Sequence, residues 1–250
     1  MIKFINKVLF NLSILIFIFL IPCTCYAEDF VLCNGFSYHD IPVETQKLMN
    51  GKSYKENEYV KFDDLRLCKV LHIGFDGEEH EGELIVAHNY TDETGKIVDF
   101  SKEVLEIFKE MYDAKYPIEK IRLIDYYDAE DEKSMLDNNS SSFIFRYILG
   151  TNRISWHSYG LAVDINPYVN PCVHPDSKIV EPAGTEKFLD RNLEQTGLIK
   201  EGDACHKAFT SRGWEWGGSW KDPNYSTDYM HFEKFPRFSQ KPDPKYVNKK

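Results

Sequence analysis

The sequence predicts an α+β fold, with a small antiparallel sheet that carries the chemically loaded residues and helices that flank it. Three observations predict this. Strand-like and helix-like stretches follow one another without the strict alternation that builds a parallel sheet. Asp99 to Tyr112 carries an apolar stripe at helical spacing. Two motifs rich in histidine and aspartate each lie on or beside a short apolar run toward the C-terminus.

The first 27 residues read as a leader rather than as part of the fold. Lys3 and Lys7 form a basic start, Val8 to Ile21 is almost wholly apolar, and Cys25-Tyr26-Ala27 supplies small residues at the cleavage positions. This is the pattern of a secretory signal cut after Ala27, and the apolar run is short for a membrane span. Export to the periplasm, cell envelope or medium is expected, with no stable membrane partner once the leader is removed. Residues 28–240 are long enough for one domain with a full core, and 241–250 form a basic tail. No repeat and no Pro/Gly/Ser linker divides them, and a monomer is expected. The net charge of −10 becomes more acidic when the leader's lysines leave, which argues against a nucleic-acid partner. Cys33, Cys68, Cys172 and Cys205 remain, an even number in an exported chain. Two disulfides are expected, Cys33–Cys68 and Cys172–Cys205, each pair nearest in sequence.

The elements follow in order. Residues 28–55 look irregular and polar. Leu65 to Ile73 and Gly82 to His88 read as strands around a turn at Gly74-Phe75-Asp76-Gly77. Asp99 to Tyr112 is a helix whose stripe is Val104, Leu105, Ile107, Phe108 and Met111, with Ser101 as its candidate N-cap. Ile118 to Tyr126 alternates like a strand, Asp128 to Ser142 is polar enough for a loop, and Phe143 to Ile148 reads as a short strand. Gly160 to Ile165 is a strand with Leu161, Val163 and Ile165 on one face, and Ala162 and Asp164 on the other. Thr185 to Leu193 and Asp203 to Arg212 read as helices, and Tyr229 to Phe232 as a last strand.

The chemistry is concentrated in Ser155-Trp156-His157-Ser158-Tyr159-Gly160-Leu161-Ala162-Val163-Asp164 and in Asp228-Tyr229-Met230-His231-Phe232. Two histidines and a carboxylate are a common ligand set for catalytic zinc, which leaves a fourth position open. His157 and Asp164 are seven apart, a spacing that a straight strand puts on opposite faces. A turn or bulge at Gly160 removes the conflict. An aspartate in an otherwise apolar strand needs a partner, and a metal is a good one. Taken alone, each motif reads as well as an aspartate on backbone amides or a core histidine; taken together they favour a metal. Asp228, three residues before His231, is then free to act as a general base, with Glu215 and Glu233 as rivals. Trp214, Trp216 and Trp220 fit a cleft wall or packing anchors equally. The other six histidines show no paired ligand pattern.

Ser-x-His-x-x-Gly-x-Ala-x-Asp followed by Asp-x-Met-His-Phe resembles the D-alanyl-D-alanine carboxypeptidase and L-alanyl-D-glutamate peptidase family of cell-wall zinc peptidases. The resemblance extends to Asn138-Asn139-Ser140-Ser141-Ser142-Phe143, Asp164-Ile165-Asn166-Pro167, Asn170-Pro171 and Trp214-Glu215-Trp216-Gly217-Gly218-Ser219-Trp220, over about residues 40–236. It implies a fold like those peptidases and Hedgehog domains, and one zinc per chain held by His157, Asp164 and His231. It further implies Asp228 as the acid that activates water, and an arginine on the scissile carbonyl or a substrate carboxylate. Arg146 matches that arginine, with Arg153 and Arg122 also available; a planar guanidinium suits the task. The implied substrate is a peptidoglycan stem peptide. The whole-chain pattern leans to the L-alanyl-D-glutamate endopeptidase branch, and D-alanyl-D-alanine carboxypeptidase remains the alternative. Hedgehog signalling domains resemble this family yet serve in recognition, so a non-hydrolytic module is the rival. The presence of Asp228 favours an enzyme. A purely structural zinc domain would need a fourth protein ligand, and none lies near either motif.

Overall fold

The computed structural model describes residues 30–92, 94–148, 152–174, 178–221 and 226–234. The leader and the basic tail lie outside these residues. The described part is mixed α and β, built from small antiparallel sheets and few helices. Among the described residues no helix is long and apolar enough to cross a membrane.

In chain order the elements that matter are β1 (Phe30–Cys33), β2 (Phe36–His39), α1 (Val43–Met49), β3 (Leu65–Ile73), β4 (Glu79–Ala87), β5 (Asn89–Thr91), β6 (Ile97–Asp99), α2 (Phe100–Asp113), β7 (Lys120–Ile121), α3 (Asp131–Leu136) and β8 (Asn139–Ser140). Then come β9 (Ala162–Asp164), β10 (Cys172–Val173), β11 (Val180–Glu181), α4 (Ala204–Thr210), β12 (Glu215–Trp216), β13 (Thr227–Asp228) and β14 (His231–Glu233). The strands β1-β2-β3-β4 form one antiparallel sheet, β12-β14-β9 a second and β11-β10-β13 a third.

Alternation along β3 and β4 buries both faces of the first sheet. Cys68, Val70, Leu84 and Val86 face the main core, with the α2 residues Phe100, Val104, Leu105, Ile107, Phe108 and Met111. Leu65, Leu67 and Ile85 face a second cluster with Met49, Tyr54 and Phe143. The predicted stripe of α2 is wholly buried. Its N-cap is Asp99, which accepts the Lys102 N–H at 2.9 Å, and not Ser101, whose hydroxyl donates to the Ala87 carbonyl. The main core continues into the second sheet. Leu161, Val163, Ile165, Trp216 and Phe232 join it, and Phe209 of α4 stacks on Phe232 at 4.1 Å. Burying a side chain of this size contributes about 1.5–3 kcal/mol. The strands that carry the motifs are thus anchored by every second residue.

Several expectations are corrected. The segment expected to be irregular over 28–55 holds β1, β2 and α1 within its described residues 30–55; the exposed Val31 and Val43 and the short spans hide the pattern. The strand expected over Ile118 to Tyr126 is two residues of β7, which pairs in parallel with β8, followed by a 3-10 turn at Ile124–Tyr127. The polar stretch Asp128 to Ser142 contains α3 and β8. Phe143 to Ile148 forms no strand; it carries the isolated bridge Tyr147↔Ile154. The helix expected over Thr185 to Leu193 is one 3-10 turn, Glu186–Leu189.

The four cysteines are free thiols. The pairing Cys33–Cys68 fails on topology, because β2 lies between β1 and β3, and Cys68 pairs with Tyr38 while Cys33 pairs with Phe36. Two strand spacings are roughly 9–10 Å, beyond the reach of a disulfide. Cys205 is sealed in the main core, where its thiol meets Tyr116, whereas Cys172 lies on β10, where its thiol meets Ser226.

Candidate active site

Sheet register explains how residues far apart in sequence meet. His231 of β14 stands directly across from Asp164 of β9, and Phe232 across from Val163. Directly opposed residues share a face. Val163 and Phe232 therefore point into the core, and Asp164 and His231 point out of it together. His157 arrives from a 3-10 turn, Trp156–Tyr159, that ends at Gly160 in the left-handed region (φ 68°). Gly160 is required there twice over, because a Cβ would also fall 2.5 Å from the Ala87 nitrogen.

Three donor atoms converge. His157 Nε2 lies 3.1 Å from His231 Nδ1 and 3.2 Å from Asp164 Oδ2, and His231 Nδ1 lies 3.0 Å from Asp164 Oδ1. Zinc ligands at about 2.0–2.1 Å in a tetrahedron stand about 3.3 Å from one another. The observed edges fit such an ion. Two ring nitrogens and a carboxylate turned on one point also need a cation or protons between them, which suits a metal. His157 Nδ1–H donates to the Ser142 carbonyl at 2.5 Å, which leaves Nε2 as its lone-pair atom. His231 uses Nδ1 inward, and its Nε2–H donates to Glu233 Oε2 at 2.8 Å.

Burial opposes charge on Asp164, yet the two histidines hold its carboxyl well below the usual range. Burial likewise opposes the charged form of His231, but hydrogen bonds to Asp164 and Glu233 win, and its pKa rises well above the ordinary value.

Asp228 ends β13, beside Cys172 of β10. Its Oδ1 is out of solvent and, among the described residues, has no hydrogen-bond partner. Burial pushes its pKa up to about 6, reinforced by Asp164 and opposed by the histidines and Arg146. A carboxylate titrating close to neutrality is suited to moving a proton. Gly217 packs on it so closely that a Cβ there would fall 2.5 Å from the Asp228 carbonyl oxygen.

The charge of Arg146 acts on Asp228 and favours its ionised form. Its Nε lies 2.8 Å from Asp131 Oδ2, though not in hydrogen-bond alignment. Its backbone is tied to the histidine turn: Arg146 N–H donates to Ser158 Oγ at 2.9 Å, and that hydroxyl donates to the Arg146 carbonyl at 2.8 Å. Arg122 is exposed near Asp137 and Tyr127, and Arg153 is exposed. The tryptophans divide. Trp214 stacks on Phe100 and donates to Glu103, and Trp216 donates to the Tyr229 carbonyl, so both are packing anchors. Trp220 sits 5.6 Å from the His231 ring and can wall the site. Glu215 is exposed on β12.

The asparagine and serine motifs hold this frame. Asn166 accepts from Glu119 N–H and donates to the Pro117 carbonyl, while Asn170 accepts from Arg191 Nη2 and from Ile199 N–H. Ser142 Oγ donates to the Ala162 carbonyl of β9, one residue from Val163 and two from Asp164. Sequence reasoning missed the Ser142 carbonyl and Glu233 as partners of the two histidines. A carbonyl leaves no signal in residue type. Glu233 did leave one, since it lies two positions after His231 and hence on the same face of a strand.

Fold and site together define a mixed α and β protein with a buried His2Asp centre and a neighbouring orphaned carboxylate. Residues 149–234 match the model of the family described as D-alanyl-D-alanine carboxypeptidase. That segment contains His157, Asp164, Asp228 and His231. No curated protein and no solved structure matches the chain at a significant level.

Proposed function

We propose that this chain is an exported zinc peptidase that hydrolyses an amide bond in peptidoglycan stem peptides. Its domain spans about residues 28–240, acts as a monomer and adopts the fold that D-Ala-D-Ala peptidases share with Hedgehog domains. The observation that carries the reading is the convergence of His157, Asp164 and His231, with Asp228, whose Oδ1 has no partner among the described residues, close by. His157, Asp164 and His231 would hold the ion. Zinc in that position supplies Lewis acidity, lowering the pKa of water toward neutrality and polarising a carbonyl. Asp228 takes the proton of the attacking water and passes it to the leaving amine. Arg146 holds a substrate carboxylate or the developing oxyanion, which its fixed charge and planar fork suit. Trp220 limits water on one side.

The bond we assign is L-alanyl-D-glutamate. The description of the matching family favours a second reading, D-alanyl-D-alanine carboxypeptidase. Mass spectrometry of stem pentapeptides after digestion separates them. A new D-glutamate amino terminus identifies the endopeptidase, and free D-alanine identifies the carboxypeptidase. Zinc-dependent binding of the peptide with no cleavage at all would instead establish a recognition module.

A further inference from the structure

We infer that Glu233 is a positioning residue that fixes the tautomer and orientation of His231 for metal binding; this deepens the zinc-peptidase reading above and rests on it. Glu233 is buried at 6 % exposure on the last described strand, paired with Glu215 on one side and Ala162 on the other. Its Oε2 accepts the His231 Nε2–H at 2.8 Å. With an ion bound, His231 would keep its proton on Nε2 toward Glu233, and Nδ1, which faces His157 Nε2 and Asp164 Oδ1, would give its lone pair to the ion. A carboxylate also makes the imidazole a stronger donor to a cation than a neutral acceptor does. The two ligand histidines are thus held differently, His157 by the Ser142 carbonyl and His231 by a buried charge.

The same geometry removes Glu233 as a general base. The two nitrogens of an imidazole face opposite ways, so the His231 ring stands between Glu233 and the point where the three donors converge. A carboxylate behind a ligand ring does not reach a water on the far side of the ion. Register explains why the sequence places it here. On a strand, residues two apart share a face, so Glu233 can meet His231 only because β14 continues regularly past the ligand.

The test uses the full mature protein and compares wild type with Glu233→Gln and Glu233→Ala. Gln keeps an oxygen acceptor without the charge, and Ala removes both. Zinc affinity is read by competition with a chromophoric chelator, and the visible absorption spectrum is recorded after cobalt replaces zinc. Glu233→Ala should weaken zinc binding by roughly 10–100-fold, the usual effect of losing such a partner, with Glu233→Gln between it and wild type. The cobalt bands should shift in both. If Glu233→Gln binds zinc and gives the cobalt spectrum of wild type, the inference is overturned, and a large loss of hydrolysis in that same variant would make Glu233 the base. If Ala does not fold, Gln alone decides. If wild type itself holds no stoichiometric zinc, it is the zinc-peptidase reading that fails.

Discussion

At the scale of single residues, the site pairs four titratable groups with unequal duties. His157, Asp164 and His231 are mutually engaged at 3.0–3.2 Å, whereas Asp228 Oδ1 has no hydrogen-bond partner among the described residues. A buried carboxylate oxygen left unpaired costs stability, which a structure retains where the group has work to do. Asp228→Ala should keep one zinc per chain and still bind a muropeptide, because the ligands and Arg146 are untouched. Its hydrolysis should fall roughly 10²–10⁴-fold, the usual worth of a positioned base. Zinc content beside the rate of amino-terminus release checks this; an unchanged rate removes Asp228 from the mechanism. These four residues were legible in the sequence because histidine and aspartate in an apolar run are conspicuous. What holds them was not, because Ser142 acts through its carbonyl and Ser158 by gripping the Arg146 backbone. Main-chain acceptors carry no residue-type signature.

At the scale of elements, short spans were the difficulty. The helix α2 was readable because its stripe is long and wholly buried, while β7, β8 and β12 to β14 have two or three residues each. Two or three residues contain no period, and such strands exist because neighbours supply their hydrogen bonds. The 3-10 turn that carries His157 depends on its closing glycine. Gly160→Ala places a Cβ 2.5 Å from the Ala87 nitrogen, in a left-handed backbone at φ 68°. Strain and overlap together should cost about 2–5 kcal/mol and lower zinc content. Urea unfolding gives the first and elemental analysis the second; an alanine variant as stable as wild type would falsify the packing argument. On β3, His72 is buried and its Nδ1–H donates to the Ile118 carbonyl at 2.8 Å. Burial lowers its pKa from 6.5, against the backbone hydrogen bond and Asp76 and with the help of His80. The unfolded chain therefore binds the proton more readily. His72 leaves stability intact above pH 6.5 and subtracts from it as pH falls through that value, until the folded side chain also protonates. His72→Asn keeps a donor and should remove this part of the pH slope in urea unfolding, whereas equal slopes in the two proteins would exclude His72 as its source.

At the scale of the whole molecule, the centre is a junction between distant parts of the chain. His157 and His231 are 74 residues apart, and Asp164 and His231 are 67 apart. Behind them one core runs from the first sheet through α2 and α4 to Phe232. Lys234 pins the end of the described chain to α2 through Glu103 at 2.8 Å. The thiols take no part in this closure, so alkylation of the unfolded, unreduced protein should modify Cys33, Cys68, Cys172 and Cys205; a cross-linked peptide containing Cys33 and Cys68 would contradict the strand order. On the proposed reading, a zinc ion at His157, Asp164 and His231 is the remaining link. An ion bound only by the folded chain adds about 2.7 kcal/mol at a hundredfold excess over its dissociation constant. In a chain of this length that corresponds to a rise in melting temperature of about 5–10 °C. Chelation should therefore lower the melting temperature of wild type by about this amount, and zinc should restore it. His231→Ala should melt at the same temperature with and without zinc, because the ion loses the strand that joins it to the C-terminal core. Asp228→Ala should keep the full zinc-dependent rise while losing activity, which separates the group that moves protons from the groups that bind the ion. If zinc-loaded and chelated wild type melt together, the three side chains meet without a metal, and the peptidase reading loses its support.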